Sequence, residues 1–405
     1  MENKPLCLKN EIQDYAWGSY SFIQRLLDAG HTDTPWAELW MGAHPKAPSK
    51  VQIDDKWVPL DKLIEQFPEQ ILGQSTALRF NNSLPFLFKV LAAEHPLSIQ
   101  AHPNREQARN GFDRENHEDI PLTAPNRNYK DDRHKPECIC ALTPFWAMEG
   151  FRPVSDTVAL LSAACPVSLA DAIEFLKQNP NRNGLQRFFE ALMTLPEHKI
   201  QQVIDETAAN AAENESKSDE FRWICTLYDL YPEDIGILSP ILLNLVCLQP
   251  GEALFLNSGE MHAYLEGSGI EIMANSDNVL RGGLTTKHVD VEELMRVLNF
   301  QPHALDILSP QNALACEKVY PTPAEEFALS VIQVDEACAY LTNKINGPEI
   351  LLCTNGAGEI FWNQADETMA INQGNSVLIP ASLNSYRISG RAEIYKAAIG
   401  NLLPA

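Results

Sequence analysis

Gln100 and His102 lie two apart in "PLSIQAHP", a spacing that puts both side chains on one face of a strand. An amide and an imidazole on one face are either a hydrogen-bonded core pair or two ligands of a metal ion. An ion needs three or four converging N, O or S donors, so the second reading requires partners elsewhere. The best carboxylate is Glu137 in "RHKPECICAL", where Pro136 fixes the approach to an apolar strand. The best second imidazole is His262 in "GEMHAYLEG", at the mouth of the apolar run Ala253 to Leu256. Each has a plain alternative. A lone histidine at a strand end is commonly a hydrogen-bonded structural residue, and a glutamate after proline is commonly a solvated edge residue.

The elements that must position these residues read as a mainly β protein interrupted by helices. A chain of 405 residues is too long for one ordinary core, so two or three domains are expected. Apolar and charged contents of 45% and 21% are those of a soluble globular protein. The runs "PFLFKVLAA", "PLSIQAHP", "ECICALTPFWAMEGF" and "GEALFLNSG" are short and β-type, bounded by Pro, Gly and Asn. From Ser155 to about Asp234, "LADAIEFLKQ", "LQRFFEALMTL" and "KIQQVIDETAANAA" carry apolar residues three and four apart, with breaks at Asn179, Pro180 and "ENESKSDE". Shorter helices are predicted at "LDKLIEQF", "NREQARNGF" and "DVEELMRVLNF", and the chain after about Pro321 reads all-β. "PGEALFLNSGEMHAY" and "QGNSVLIPASLNSY" share a glycine turn, a short strand and a polar loop, with His262 in the first where Ser385 stands in the second. That echo suggests two copies of one β unit, and short strands with frequent turns fit a jelly roll or cupin-like barrel.

The fold expected is therefore two cupin-like jelly-roll barrels plus an inserted helical domain. Residues 1–150 and 240–320 would form the metal-bearing barrel, 151–239 the helical insert, and 321–405 a second barrel without metal. A net charge of -23 excludes nucleic acid and anionic membrane as partners, since both select basic surfaces. An anionic substrate would need its own local Lys and Arg. "MENKPLCLKNEIQDYAWG" has no apolar core of signal-peptide length, and no run approaches the roughly 18 apolar residues of a membrane span, so a cytoplasmic protein is expected. Nine cysteines are scattered through the chain. Cys138 and Cys140 are too close for a usual zinc pair and suit a buried strand, and reduced thiols are expected throughout.

These segments together resemble a known family. "PLSIQAHP", "NYKDDRHKPE", "GEALFLNSGEMHAYLEG" and "MANSDNVLRGGLTTKHVD", preceded by "YAWGSY" and "PWAELWMGAHPKAPS", resemble the signatures of the type I mannose-6-phosphate (phosphomannose) isomerases of the cupin superfamily. The match runs in order from about Tyr15 to Asp290; the tail is similar only in general. The resemblance implies one zinc ion per chain, held by Gln100, His102, Glu137 and His262, and an active-site Arg281. It also places Lys135 and His134 beside Glu137, and Asp277 and Glu271 near Arg281. Ala101, Gly282 and Thr286 depart from the residues frequent in the family, and a glycine after Arg281 would loosen the loop that aims it.

The chemistry of the donors agrees with that implication. Two imidazoles, one amide and one carboxylate leave a divalent ion with a net charge of about +1, electrophilic enough to polarise a sugar oxygen. Aldose-ketose isomerisation removes a proton beside a carbonyl and returns it to the neighbouring carbon, through an enediolate that cations stabilise. "IEIMANSDN" alternates, with Ile270 and Ile272 on one face and Glu271 and Met273 on the other. Glu271 then points inward either as acid or base or to orient a cation. Lys135 or His134 would shuttle a proton or open the sugar ring, and Arg281 would stabilise the enediolate or grip phosphate. Ser98, Lys89, Lys135 and Arg281 form the expected pocket for a sugar phosphate, with Trp17 and Tyr264 as aromatics that either face the sugar or belong to the core. Lys89, inside an apolar run, either snorkels or faces a cavity. The expected protein is a monomeric zinc isomerase of mannose 6-phosphate and fructose 6-phosphate. Two other readings compete: an iron-dependent cupin oxygenase, which the amide ligand and the basic residues oppose, and a non-catalytic bicupin.

Overall fold

The structure is a computed structural model that describes residues 3–164, 166–342, 345–363 and 367–400. The first β region supplies β1 (Leu6–Lys9), β2 (Glu11–Gln13), β3 (Glu38–Gly42), β4 (Lys50–Ile53), β5 (Lys56–Pro59), β6 (Phe86–Ala93), β7 (Ile99–Ala101), β8 (Glu137–Ala141) and β9 (Phe145–Phe151). After the helices come β10 (Leu243–Leu248), β11 (Ala253–Leu256), β12 (His262–Ala274) and β13 (Leu280–Gly283). The tail supplies β14 (Gln311–Leu314), β15 (Glu317–Tyr320), β16 (Ala328–Val334), β17 (Tyr340–Leu341), β18 (Glu349–Trp362), β19 (Glu367–Asn372), β20 (Ser376–Ile379) and β21 (Arg387–Ala398). The mainly β architecture with a helical insert is as expected.

Among the described residues the strands form two antiparallel systems. One follows the order β10-β9-β12-β6-β3-β2 with β7, β8, β11 and β13 attached. The other runs β14-β15-β16-β21-β18-β20-β1-β4-β5 with β17 and β19 attached. The second differs from the expected boundaries at both ends. It begins at β14, before residue 321, and it recruits three strands from the first 60 residues, with Leu6 opposite Leu378 and Leu8 opposite Val51. The physical reason is edge protection: β1 covers the side of β20 that β18 leaves open, and an uncovered strand edge invites association.

The long strand β12 is the hinge of the fold, and its alternation sorts three cores. Met261, Ala263 and Leu265 join Ile99, Ala101 and Leu280 in a core continuous with the helical insert, including Leu161, Phe188, Phe189 and Trp223. Ile270 and Ile272 pack with Phe86, Phe88, Cys138 and Cys140 against Tyr320, Phe327, Leu352 and Tyr395 of the tail. Tyr264 turns the other way, into a smaller cluster with Leu91, Ile139 and Phe145. With period-2 faces, burying Ile99 and Ala101 on the helical side leaves Gln100 on the opposite one. Cys138 and Cys140 are buried, as their strand spacing predicts.

The helices lie where periodicity puts them, with residues 154–164, 170–178, 182–193, 197–214 and 219–230 forming the insert. Asn181 and Ser218 cap two of them by accepting from Gly184 N and Phe221 N, which explains why the polar breaks precede these helices. The helix Arg105–His117 after the Gln100 strand starts on a capping box of Asn104 and Gln107. No helix among the described residues is long and apolar enough to cross a membrane.

The internal echo has a structural counterpart. β11 and β20 are each four residues long and start two residues after glycines with φ of 89° and 83°. His262 opens the strand after the first, whereas Ser385 lies in the loop before β21. One cysteine expectation is corrected. Cys316 and Cys338 form a disulfide with Cα atoms 6.1 Å apart, because the β15–β16 register sets Cys316 beside Gln333, whose N–H donates to its carbonyl. The turn after β16 then brings Cys338 over it. Cys165 lies outside the described residues.

Candidate metal centre

Three strands place the sequence-predicted donors in one row. Gln100 on β7 is directly opposite His262 on β12 and, on its other side, opposite Arg281 on β13. Glu137 opens β8, opposite Met273 of β12. His102 follows β7, its backbone carbonyl accepting from Gly259 N at 2.8 Å.

The two imidazoles are held by their Nδ1 atoms. His102 Nδ1 lies 2.7 Å from the Asn278 carbonyl and His262 Nδ1 lies 3.0 Å from the Glu260 carbonyl. A carbonyl only accepts, so each Nδ1 carries the proton and each Nε2 presents a lone pair. Both Nε2 atoms point at Glu137 Oε2, at 3.4 Å from His102 and 3.3 Å from His262. All three atoms are buried and have no hydrogen-bond partner. Burial, with the Lys135 ammonium adding to it, pulls the His102 imidazole down to about 4. Burial alone would raise Glu137, but Lys135, whose Nζ is 2.9 Å from Oε1, outweighs it and holds the carboxyl well below its usual range.

Lone pairs facing one another without a proton between them repel, and buried polar atoms are rarely left unsatisfied. A divalent cation among them removes both costs. Tetrahedral coordination with bonds of about 2.05 Å would set donors about 3.3 Å apart, which matches the spacing of the carboxylate oxygen from either nitrogen. The residues present fit a metal ion.

Glu137 and Gln100 form part of the wall of a cavity of about 710 Å³. Trp17, Lys89, Ser98, Lys135, Tyr264, Glu271 and Arg281 line it too, so most of the residues singled out in the sequence converge here. Lys89 does not snorkel. Its Nζ lies 2.7 Å from Glu271 and 3.5 Å from Glu38, while the Tyr264 hydroxyl donates to the other oxygen of Glu271 at 2.9 Å. Burial alone would lower Lys89, but Glu271 and Glu38 outweigh it and hold it charged. Burial raises Glu271 against the pull of Lys89. Arg281 is lowered by burial, and Lys287 by burial and then by Arg281 itself. Neither has a carboxylate within ion-pair distance among the described residues.

Of the expected catalytic and substrate-binding residues, Asp277 and His134 do not line the cavity. Asp277 turns to Lys46 at 2.9 Å and His44 at 3.5 Å, lining a neighbouring cleft, because Asp131 accepts from its backbone N–H and turns the loop outward. His134 binds Glu326 at 2.8 Å and lines a different cleft, since Lys135, next in an extended segment, takes the inward face. At Gly282 a Cβ would lie 2.7 Å from Met261 Cε and 3.3 Å from Ile99 Cγ2, so the glycine lets these two side chains pack close to β13.

Sequence reasoning missed Asn278, which is fully buried and has both amide atoms engaged. Its Oδ1 accepts from Lys130 N, and its Nδ2 donates to the carbonyls of Asp131 and Arg133. It thereby fixes the carbonyl that orients His102. Lys287 and Glu38 were missed as well, though both stand in quoted segments. Nothing local distinguishes them from surface charges.

The comparisons with known proteins decide the family. The chain matches the models of the phosphomannose isomerase type I catalytic domain over residues 6–154 and its helical insertion domain over 163–243. Residues 316–398 match the mannose-6-phosphate isomerase cupin domain. Mannose-6-phosphate isomerase of Salmonella typhimurium is 40% identical over 391 residues, 96% of this chain and 97% of the relative. This chain belongs to the type I phosphomannose isomerase family. The human mannose-6-phosphate isomerase is 35% identical, with 92% of each chain covered. A zinc-bound crystal structure of a mannose 6-phosphate isomerase superposes with a TM-score of 0.91 at 37% identity, covering 98% of this chain and 100% of that one. A mutant phosphomannose isomerase from Salmonella typhimurium gives 0.92 at 36%, with 98% and 100% covered. Strands, insert and tail are thus arranged as in solved phosphomannose isomerases.

Proposed function

We propose that this family member interconverts D-mannose 6-phosphate and D-fructose 6-phosphate with one zinc ion bound by Gln100, His102, Glu137 and His262. The observation that carries the proposal is the convergence of three buried, unpartnered donor atoms at a cavity whose wall also holds two cations without acid partners among the described residues. When bound, zinc supplies a Lewis acid that polarises a sugar oxygen. The chain's own residues do the rest. Arg281 and Lys287 repel each other in the free protein and are both relieved by a dianionic phosphate, which a protein of this acidity can attract only through such a local pocket. Trp17 and Tyr264 offer ring surface to the sugar. Lys135 and Glu271 are the residues of the predicted acid-base set that line the cavity, and they are assigned the proton transfer between adjacent carbons. His134 and Asp277, outside the cavity, are not. Lys89 and the Tyr264 hydroxyl hold Glu271 in place. The cavity is complete within one chain, in keeping with a monomer, and a phosphorylated sugar substrate suits a cytoplasmic enzyme.

The test is a coupled assay on mannose 6-phosphate before and after chelation, with zinc added back. Turnover should vanish with the metal and return with it. Activity that survives complete removal overturns the proposal, as does oxygen consumption with bound iron in place of zinc.

A further inference from the structure

A second group of ligand-type residues lies behind His262 and takes no part in the cavity. Glu149 on β9, Glu260 in the loop before β12, and His303 after the helix Val291–Val297 bring one potential ligand atom each within 4.8 Å of one another. Glu149 is 5% exposed and Glu260 8%. Glu260 Oε1 accepts from Asn299 Nδ2 at 2.9 Å, whereas its Oε2 is buried with no partner. His303 Nε2 is 3.3 Å from Glu149 Oε2, and its Nδ1 is turned to the Gln301 carbonyl at 3.4 Å. That is the orientation of the two imidazoles in the first site.

The backbone around this group is built for close approach. Gly150 has φ of 62°, and a Cβ on it would fall 2.3 Å from His303 Cε1 and 3.2 Å from Glu260 Oε2. Only glycine lets the imidazole and the carboxylate close over the chain at that point. The Asn244 amide donates to the carbonyls of Glu149, Gly150 and His303, at 3.1, 3.3 and 3.0 Å, tying two of the contributing segments together.

We propose that Glu149, Glu260 and His303 bind a second divalent cation of the zinc or manganese class. Two carboxylates and a neutral imidazole leave such an ion with no net charge, which suits a structural site, in contrast to the electrophilic first one. His303 is about a third exposed and gives the ion a way in. An ion here ties β9, the loop before β12 and the segment at His303 together.

The full-length chain, equilibrated with Zn²⁺ and freed of excess, should carry two equivalents by metal analysis. His303→Ala and Glu149→Gln should each carry one, with cooperative melting and retained isomerase turnover. His102→Ala should also keep one equivalent, held by the second group, which separates failure of this site from failure of the first. Titration of the second equivalent should raise the melting temperature of the wild type and not that of His303→Ala. A single equivalent in the wild type, which is decisive even if a variant fails to fold, overturns the proposal, as do two equivalents in both His303→Ala and Glu149→Gln. In either case the buried carboxylates are compensated only by a protonated His303.

Discussion

Lys89 and Lys396 are both buried lysines held by two glutamates and a tyrosine, one in each sheet system. Lys396 Nζ lies 2.7 Å from Glu317 and 3.7 Å from Glu349, and donates to the Tyr340 hydroxyl at 3.0 Å, while Tyr386 donates to Glu349 at 2.7 Å. Lys89 has Glu271, Glu38 and, through Glu271, Tyr264, with the Trp40 ring 5.6 Å away. In both, burial is outweighed by the carboxylates and the ammonium stays charged. The difference is what the network faces. The Lys89 group forms a wall of the cavity above the candidate metal centre. The Tyr340 ring, whose centroid is 5.4 Å from Lys396 Nζ, and the Tyr386 ring beside it sit in an apolar core with Ile345, Ile360 and Ile388. The same chemistry thus lines a cavity in one place and braces an apolar core in the other.

That contrast is broken or sharpened by matched substitutions. Lys89→Met should lower kcat/KM by two orders of magnitude or more, the size of effect that removing one preorganised electrostatic group produces. Steady-state assay of the variant, corrected for its folded fraction by circular dichroism, checks this, and near-normal turnover would reduce Lys89 to a strut as well. Lys396→Met should do the converse. Removing one partner from a buried ion network costs about 3–5 kcal/mol, so denaturant unfolding should show a large loss of stability while the folded enzyme keeps its kcat/KM. The smallest expected effect comes from the phenols. Tyr386→Phe removes a hydrogen bond to a buried carboxylate and should cost about 1.5–3 kcal/mol with no change in turnover. Tyr264→Phe should lower kcat, because the Glu271 carboxylate that its hydroxyl holds lines the cavity. Unchanged kcat in this variant, measured by steady-state assay, would leave the Tyr264 hydroxyl with the same supporting part as that of Tyr386.

Much of the site was legible in the chain because strand alternation is local. "SIQAH" buries Ile99 and Ala101 on one side, so Gln100 has to face the other, and the Ile270, Glu271, Ile272 alternation sends Glu271 to the cavity for the same reason. The helical insert was legible through its period and its polar breaks. The domain limits were less so, since β1 is a four-residue strand whose partner lies more than 360 residues later, and nothing in "LCLK" announces it.

The amino-acid sequence by itself determined the ligand-type residues on offer, the alternating faces and the apolar stripes, since these depend on residue type and on spacings of two to four. Only the tertiary structure decided which charges meet. "FLFKVLAA" and "AEIYKAAIG" are equivalent as local patterns, yet one lysine borders a cavity and the other lies against the Tyr340 ring of the tail core. His134 and Lys135 are adjacent in the chain and serve different clefts. Glu149, Glu260 and His303 converge, and Cys316 meets Cys338, only through strand register and chain reversal. The physical reason is common to all of these: a side chain's direction follows from its neighbours in sequence, but its partners follow from packing between distant segments.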